Sequence, residues 1–287
     1  TTVSADNNKL WPVFEAYRKA KATKHDGADL GGLHLEGPYF NIEQKGAMDP
    51  KFVRNPDEKE IEEILSRSDD IVRWSVAPEL PGALEMARKL RKLGIIPSLG
   101  HTMAVYDQVL EAFENGFTLC THLYSAMAGV RRINAFRHAG PVEAAFLIDE
   151  MDVEIIADGV HLPQALLKLI MQNKGPDRVA LVTDSMRAAG QESGTSILGA
   201  KDIGLPVIIE DGVAKLADRS AFAGSIATTD RLIRVMRDKA GVTLADAVRM
   251  MSTTPARIMG YSDRGRIAPD FRADIVIFDE DIKMQKV

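Results

Sequence analysis

The 287 residues carry 36 Lys and Arg against 41 Asp and Glu, a formal charge of −5, with 45 % apolar and 27 % charged residues. This is the balance of a globular protein with a sizeable core; it excludes a basic nucleic-acid surface, and no apolar run approaches the ~18 residues of a membrane span. Cys120 is the only cysteine, so no intrachain disulfide can form, and a single thiol fits a reducing, cytoplasmic compartment.

In chain order, Leu10, Val13, Phe14 and Tyr17 share one face of a first helix. Strands are predicted at Leu30–Leu35, Ile71–Ala77, Ile95–Leu99, Phe117–Thr121, Val153–Ala157 and Val179–Thr183, each short and mostly apolar, as strands buried on both faces are. Between them Ile61, Ile64 and Leu65 mark one helix, and Val109, Ala112 and Phe113 another that stops at Asn115-Gly116. Pro163 reads as a first-turn proline for the helix carrying Leu167, Ile170 and Met171. Val207–Glu210 and Val213–Leu216 flank the turn signal Asp211-Gly212. Thr243 is placed to cap the helix carrying Leu244, Ala247, Val248 and Met251, and Ala273–Phe278 reads as a strand of a small separate sheet. Alternating strand and helix means a parallel sheet with helices outside, and both a doubly wound sheet and a (β/α)8 barrel satisfy it.

Ionisable residues follow successive strands: His34 and Glu36, then Glu79, His101, His122, Asp158 and His161, and Asp184. The C-terminal mouths of parallel strands are where barrel enzymes assemble their sites. Glu36, His101 and His122 offer one oxygen and two nitrogens, a set that suits Zn²⁺ or Fe²⁺, with a position left for water. Asp184 stands apart from them as a proton shuttle. Each residue also has a structural reading. A lone histidine at a strand end is more often hydrogen-bonded scaffold, Glu36 before Gly37-Pro38 can hold a loop, and Asp184 and His161 can cap the turns they precede. His25 and His138 sit in polar segments read as loop, with His25 solvated. Cys120, Trp11 and Trp74 read as packing, and Gly31-Gly32 is too weak a signal for a phosphate loop.

His34-Leu35-Glu36-Gly37-Pro38, Leu99-Gly100-His101, Thr121-His122-Leu123, Ala157-Asp158-Gly159-Val160-His161 and Leu181-Val182-Thr183-Asp184 come in an order that resembles the N-acetylglucosamine-6-phosphate deacetylases of the amidohydrolase superfamily. Ala223-Gly224-Ser225, Thr254-Pro255-Ala256 and Arg264-Gly265-Arg266-Ile267-Ala268, with Ala273-Asp274-Ile275-Val276 after it, resemble later landmarks of that group. The resemblance implies a (β/α)8 TIM barrel with a small β-sandwich. It implies one divalent metal held by Glu36, His101 and His122, with Asp184 as general base and acid. It further implies substrate contacts from His161, Ser125 and Ala126, and an arginine, matched by Arg137, that reaches the phosphate in the neighbouring subunit of a homodimer. The reaction would turn an acetamido sugar phosphate into an amine and acetate. A cyclic-amide hydrolase on the same fold stays open, since fold does not fix function, although such relatives usually use a bridging lysine and none stands at a matching strand end.

Two positions depart from that pattern: Met48 stands where the group commonly has histidine, and Ser125 where it has asparagine. Both bear on the sugar more than on the reaction class, so a deacetylase for another N-acyl compound, or a non-catalytic sugar-binding relative, stays open. Only about six of eight barrel strands are accounted for, as in a chain truncated at both ends, with Thr1-Thr2 as the tail of an earlier strand. The expected division is a barrel over 1–262 and a sandwich portion over 263–287.

Overall fold

The computed structural model describes residues 1–24 and 27–287; His25 lies outside them. The order of elements is α1 (Asn7–Ala22), β1 (Leu33–Glu36), α2 (Glu58–Arg67), β2 (Ile71–Val76), α3 (Ala83–Lys92), β3 (Ile96–Leu99), α4 (Tyr106–Glu114) and β4 (Leu119–Cys120). A hairpin follows, β5 (Arg131–Ile133) and β6 (Phe136–His138), then α5 (Pro141–Leu147), β7 (Asp152–Ile155), α6 (Gln164–Lys174) and β8 (Val179–Leu181). All six expected strands form: four are trimmed, while β1 is shifted to end at Glu36 and β7 is shifted to begin at Asp152. They make one sheet in the order β1-β2-β3-β4-β7-β8. A doubly wound sheet reverses its strand order at a switch point; this one never does, which leaves the barrel.

The chain divides into two compact units, Thr1–Thr118 with Ala126–Ala144 and Gly199–Gly204, and Leu119–Ser125 with Ala145–Leu198 and Leu205–Val287. In the first, β1 pairs in parallel with β2, and β2 with β3, so that Glu36, Ser75 and Ser98 fall in one row. Beside that row runs a polar layer: His34 Nε2 lies 2.7 Å from Ser75 Oγ, Ser75 Oγ 2.9 Å from Ser98 Oγ, and Arg73 Nε donates to Ser98 Oγ at 3.0 Å. Thr1 and Thr2 lie along β1, with Thr2 N donating to His34 O at 3.0 Å. The expected helices form, although Val13 of α1, expected on the apolar face, is exposed. Asp57 accepts from Glu60 N to cap α2, which buries Ile61 and Ile64. Met86, Ala87 and Leu90 form the buried stripe of α3. α4 ends at Asn115-Gly116, and Gly116 has φ +106° with Arg91 Cγ 2.6 Å from where a Cβ would stand, so only glycine fits. Trp74 is fully buried, whereas Trp11 is half-buried with the Arg67 guanidinium over its ring.

In the second unit β4 pairs with β7 and β7 with β8, again in parallel. Cys120 is fully buried in β4, and burial pushes its thiol far up. Pro163 immediately precedes α6 rather than sitting in its first turn. The Asp211-Gly212 hairpin joins β10 (Leu205–Glu210) and β11 (Val213–Leu216), and β9 (Gly194–Leu198), which no sequence pattern flagged, adds a third strand. After α7 (Thr229–Val235), Thr243 Oγ1 accepts from Asp246 N at 3.1 Å and caps α8 (Leu244–Met251), with α9 (Thr253–Ile258) next. The strand expected over Ala273–Phe278 shrinks to β12 (Ile277–Phe278), which pairs with β13 (Met284–Lys286) in a separate two-stranded sheet. His138, expected in a loop, lies in β6: Asn134 and Ala135 take φ +49° and +70°, the paired positive values of a tight hairpin turn, without the usual Asn-Gly signal. Among the described residues no helix is long and apolar enough to cross a membrane.

Candidate metal centre and active site

Glu36 closes β1 and His101 follows β3 by two residues; both are 5 % exposed. His101 Nε2 stands 3.1 Å from Glu36 Oε1, and His101 Nδ1 stands 2.7 Å from the Gln44 carbonyl oxygen. A carbonyl only accepts, so Nδ1 carries the proton, and in the neutral ring Nε2 turns a lone pair towards a carboxylate. Two acceptors facing each other are relieved by a proton or by a cation. Glu36, His101 and His122 each offer a ligand atom within 4.8 Å of one another, all three side chains buried. A carboxylate and two imidazoles so gathered fit a divalent cation, and a ligating histidine whose second nitrogen is pinned by a backbone carbonyl is the usual supporting arrangement.

The scaffold around His101 is dense. Phe40 stacks on its ring with centroids 4.0 Å apart. Asn41 N donates to His101 O at 3.0 Å, while Asn41 Nδ2 donates to Glu79 Oε1 at 3.0 Å. Glu79 also takes Met103 N at 2.6 Å and Thr102 Oγ1 at 2.5 Å. The carboxylate after β2 thus fixes both segments that carry or cover His101. Its strand-end position was legible in the sequence, but its role was not, because its partners are backbone and side-chain donors from two other loops. Gly46 lies over His101, 3.4 Å separating a Cβ there from Cε1 of the ring. Met48, close by in the same loop, is buried.

His122 is 4 % exposed and begins a turn in which Ser125 N donates to His122 O at 2.9 Å. Ala126 O accepts from Thr102 N at 3.1 Å. Asp184 follows β8 and is half-buried. Its carbonyl accepts from Ser225 N at 2.8 Å, and Ser225 Oγ in turn donates to Thr183 O. Gly224 makes this approach feasible: with φ +69°, a Cβ there would stand 2.8 Å from Asp184 O and 3.8 Å from its Oδ2. His101, His122 and Asp184 take φ of +52°, +31° and +45°, a left-handed conformation that costs a non-glycine residue about 1–3 kcal/mol and clusters at functional sites.

His161 follows β7 and lies against Asp158, with Nδ1 2.8 Å from Oδ2, and against the Phe222 ring at 4.8 Å. Arg137 stands exposed on the β5–β6 hairpin opposite Arg132, with Phe136 next to it 74 % exposed.

Residues 8–287 match the model of the amidohydrolase family. An N-acetylglucosamine-6-phosphate deacetylase of Lysinibacillus sphaericus is 32 % identical over 266 residues, 92 % of this chain and 66 % of its own length. An N-acetylgalactosamine-6-phosphate deacetylase of Escherichia coli O157:H7 is 31 % identical over the whole of this chain and 74 % of its own. Among solved structures, an N-acetyl-D-glucosamine-6-phosphate deacetylase variant of Mycobacterium smegmatis in complex with N-acetyl-D-glucosamine-6-phosphate superposes with a TM-score of 0.88 at 34 % identity, covering 99 % of this chain and 72 % of that one. The Thermotoga maritima N-acetylglucosamine-6-phosphate deacetylase gives 0.88 at 32 %, covering 99 % and 74 %. The chain spans about two thirds to three quarters of the length of these relatives.

Proposed function

Given that this chain belongs to the amidohydrolase family, and within it to the N-acetylglucosamine-6-phosphate deacetylases, we propose that its enzyme removes the acetyl group from N-acetylglucosamine-6-phosphate in the cytoplasm. The observation that carries this reading is the convergence of Glu36, His101 and His122 on one point. Those three side chains would hold a divalent metal, zinc by preference. When bound, it supplies Lewis acidity, which acidifies water and polarises an amide carbonyl. Asp184 accepts the proton of the attacking water and returns it to the amine nitrogen as the C–N bond breaks, leaving acetate and the free amine. The Ser225 and Gly224 backbone holds Asp184 for that exchange. His161, Ser125 and the Ala126 main chain contact the sugar, and Arg137 reaches the phosphate of a substrate in the second subunit of a homodimer. Residues 1–262 form the barrel part and 263–287 belong to a smaller β domain.

A second reading has its own support. The galactosamine relative is as similar as the glucosamine ones, and Met48 and Ser125 replace the side chains common at the sugar. Acetate release from N-acetylglucosamine and N-acetylgalactosamine, each with and without the 6-phosphate, separates the readings. Preference for phosphorylated N-acetylglucosamine, lost on chelation and restored by zinc, is expected. Equal rates on all four sugars, or activity indifferent to a chelator, would defeat the first reading.

A further inference from the structure

Asp158 sits one residue beyond Ala157 at the close of the β7 segment, with its side chain 0 % exposed and that of His161 6 % exposed. Both of its carboxylate oxygens are engaged locally. Oδ1 accepts from Val160 N at 2.9 Å and His161 N at 2.8 Å, and Oδ2 faces His161 Nδ1 at 2.8 Å. Its main chain is fastened from the other side, Arg231 Nε donating to Asp158 O at 2.9 Å while a second guanidinium nitrogen reaches Gly212 O at 3.1 Å. Burial pushes the Asp158 carboxyl up, but the hydrogen bonds from His161 and the two backbone amides outweigh it and hold the acid below its usual value. Phe222, 41 % exposed, covers the imidazole at 57° to its plane. The ring therefore cannot swing without breaking a charged hydrogen bond inside the protein.

We infer that Asp158 is a positioning residue: it keeps the proton of His161 on Nδ1 and thereby makes Nε2, in the neutral ring, a hydrogen-bond acceptor for a hydroxyl of the sugar. An ionised carboxylate can only accept, so the nitrogen facing it must be the protonated one. The remaining nitrogen then reads a donor, and a hydroxyl is the donor a hexose offers. Exchanging Asp158 for asparagine retains an oxygen for the two backbone amides and turns an NH₂ towards Nδ1. The proton moves to Nε2, which then donates instead of accepting, so the sugar hydroxyl loses the acceptor for its own proton and must reverse its hydrogen bonds. This inference rests on the reading of His161 as a substrate contact.

The test uses zinc-loaded protein and two measurements. Nitrogen-15 NMR of the imidazoles should show His161 Nδ1 protonated in the wild type and Nε2 protonated in Asp158→Asn. Steady-state acetate release should show KM raised about 10- to 100-fold in Asp158→Asn, the scale of one unpaired buried polar group, with kcat within about threefold. His161→Ala should raise KM by a similar factor, and the double variant no further. A wild-type spectrum with the proton on Nε2, or an unchanged tautomer in Asp158→Asn, overturns the inference; so does an unchanged KM. If Asp158→Asn does not fold, the wild-type spectrum and His161→Ala still decide. If the tautomer shifts but His161→Ala leaves KM untouched, the substrate contact is wrong and the inference falls with it. If the wild type releases no acetate from any amino sugar, the deacetylase reading itself has failed, which the nitrogen spectrum reports separately.

Discussion

The two ends of β7 each bury a carboxylate, and they use it differently. Asp152, the first residue of the strand, is 6 % exposed and takes both arms of Arg257 at 3.0 and 2.6 Å, with Arg178 at 3.3 Å. Asp158, just beyond the other end, is 1 % exposed and takes two backbone amides and an imidazole. Arg257 is a donor only, and it also donates to the Asp177 carbonyl at 2.8 Å, so the ion pair at Asp152 ends on the protein's own backbone. The imidazole at Asp158 has a second nitrogen left to use. Backbone geometry divides the same way. Left-handed φ values fall on His101, His122 and Asp184, after strands, and on none of the first residues of the six parallel strands. The start of the strand contributes stability, whereas its finish spends conformational strain on aiming side chains.

Substitutions at the finishing ends should therefore remove activity with little effect on folding. The largest effect is expected for His101→Asn. Metal content should fall and acetate release should drop to background, and full metal content with activity would break the comparison. Asp184→Asn should lower kcat by about 10²- to 10⁴-fold, the usual worth of a positioned general acid–base, with metal content and melting temperature unchanged. Glu79→Gln keeps acceptor and shape in part but loses the charge that gathers Thr102, Met103 and Asn41. Metal affinity should weaken about 10- to 100-fold, as for other residues that orient a ligand, and a chelator titration reads it. At the starting end, Asp152→Asn should cost about 1–3 kcal/mol by thermal or urea unfolding and leave kcat alone. A kcat change there would show that the two ends are not separable.

The sequence carried the strands and the site's chemistry further than it carried the supports. Apolar runs such as Val179–Leu181 announce themselves because a strand covered on both faces has no polar side to show. His101 and Asp184 announce themselves because a polar residue closing such a run needs a reason. What places them was hidden. Gln44 orients His101 through a main-chain carbonyl, which any residue type supplies. Ser225 reaches Asp184 across some 40 residues of chain through its amide. β9 was invisible because Gly194–Leu198 is half-exposed and pairs on one side only, and β12 shrank because Ala273–Val276 finds no partner strand among the described residues.

Glu60 gives the smallest and sharpest test, because it is a part-buried carboxylate near a strand's finishing end with no atom to spare. Oε2 accepts from Tyr39 Oη at 2.9 Å and Arg54 Nε at 3.0 Å, and Oε1 from a terminal Arg54 nitrogen at 2.5 Å. Burial pushes its carboxyl up, but Arg54 and Tyr39 outweigh that and hold it below the ordinary value, while burial and Glu60 push the Tyr39 phenol far up. A carboxylate whose pKa is depressed by folding stabilises the protein above its unfolded value and loses that contribution as pH falls through the folded one. Glu60→Gln should therefore cost about 1 kcal/mol at neutral pH, and the gap from wild type should close as the pH falls below the ordinary carboxylate range and through the lowered value of Glu60. Urea unfolding at several pH values measures it. Catalysis at neutral pH should be unaffected, since position near the mouth is not sufficient for a role when both carboxylate oxygens are already held by Tyr39 and Arg54. A gap that widened on acidification would mean that Glu60 is destabilised, not stabilised, by its surroundings.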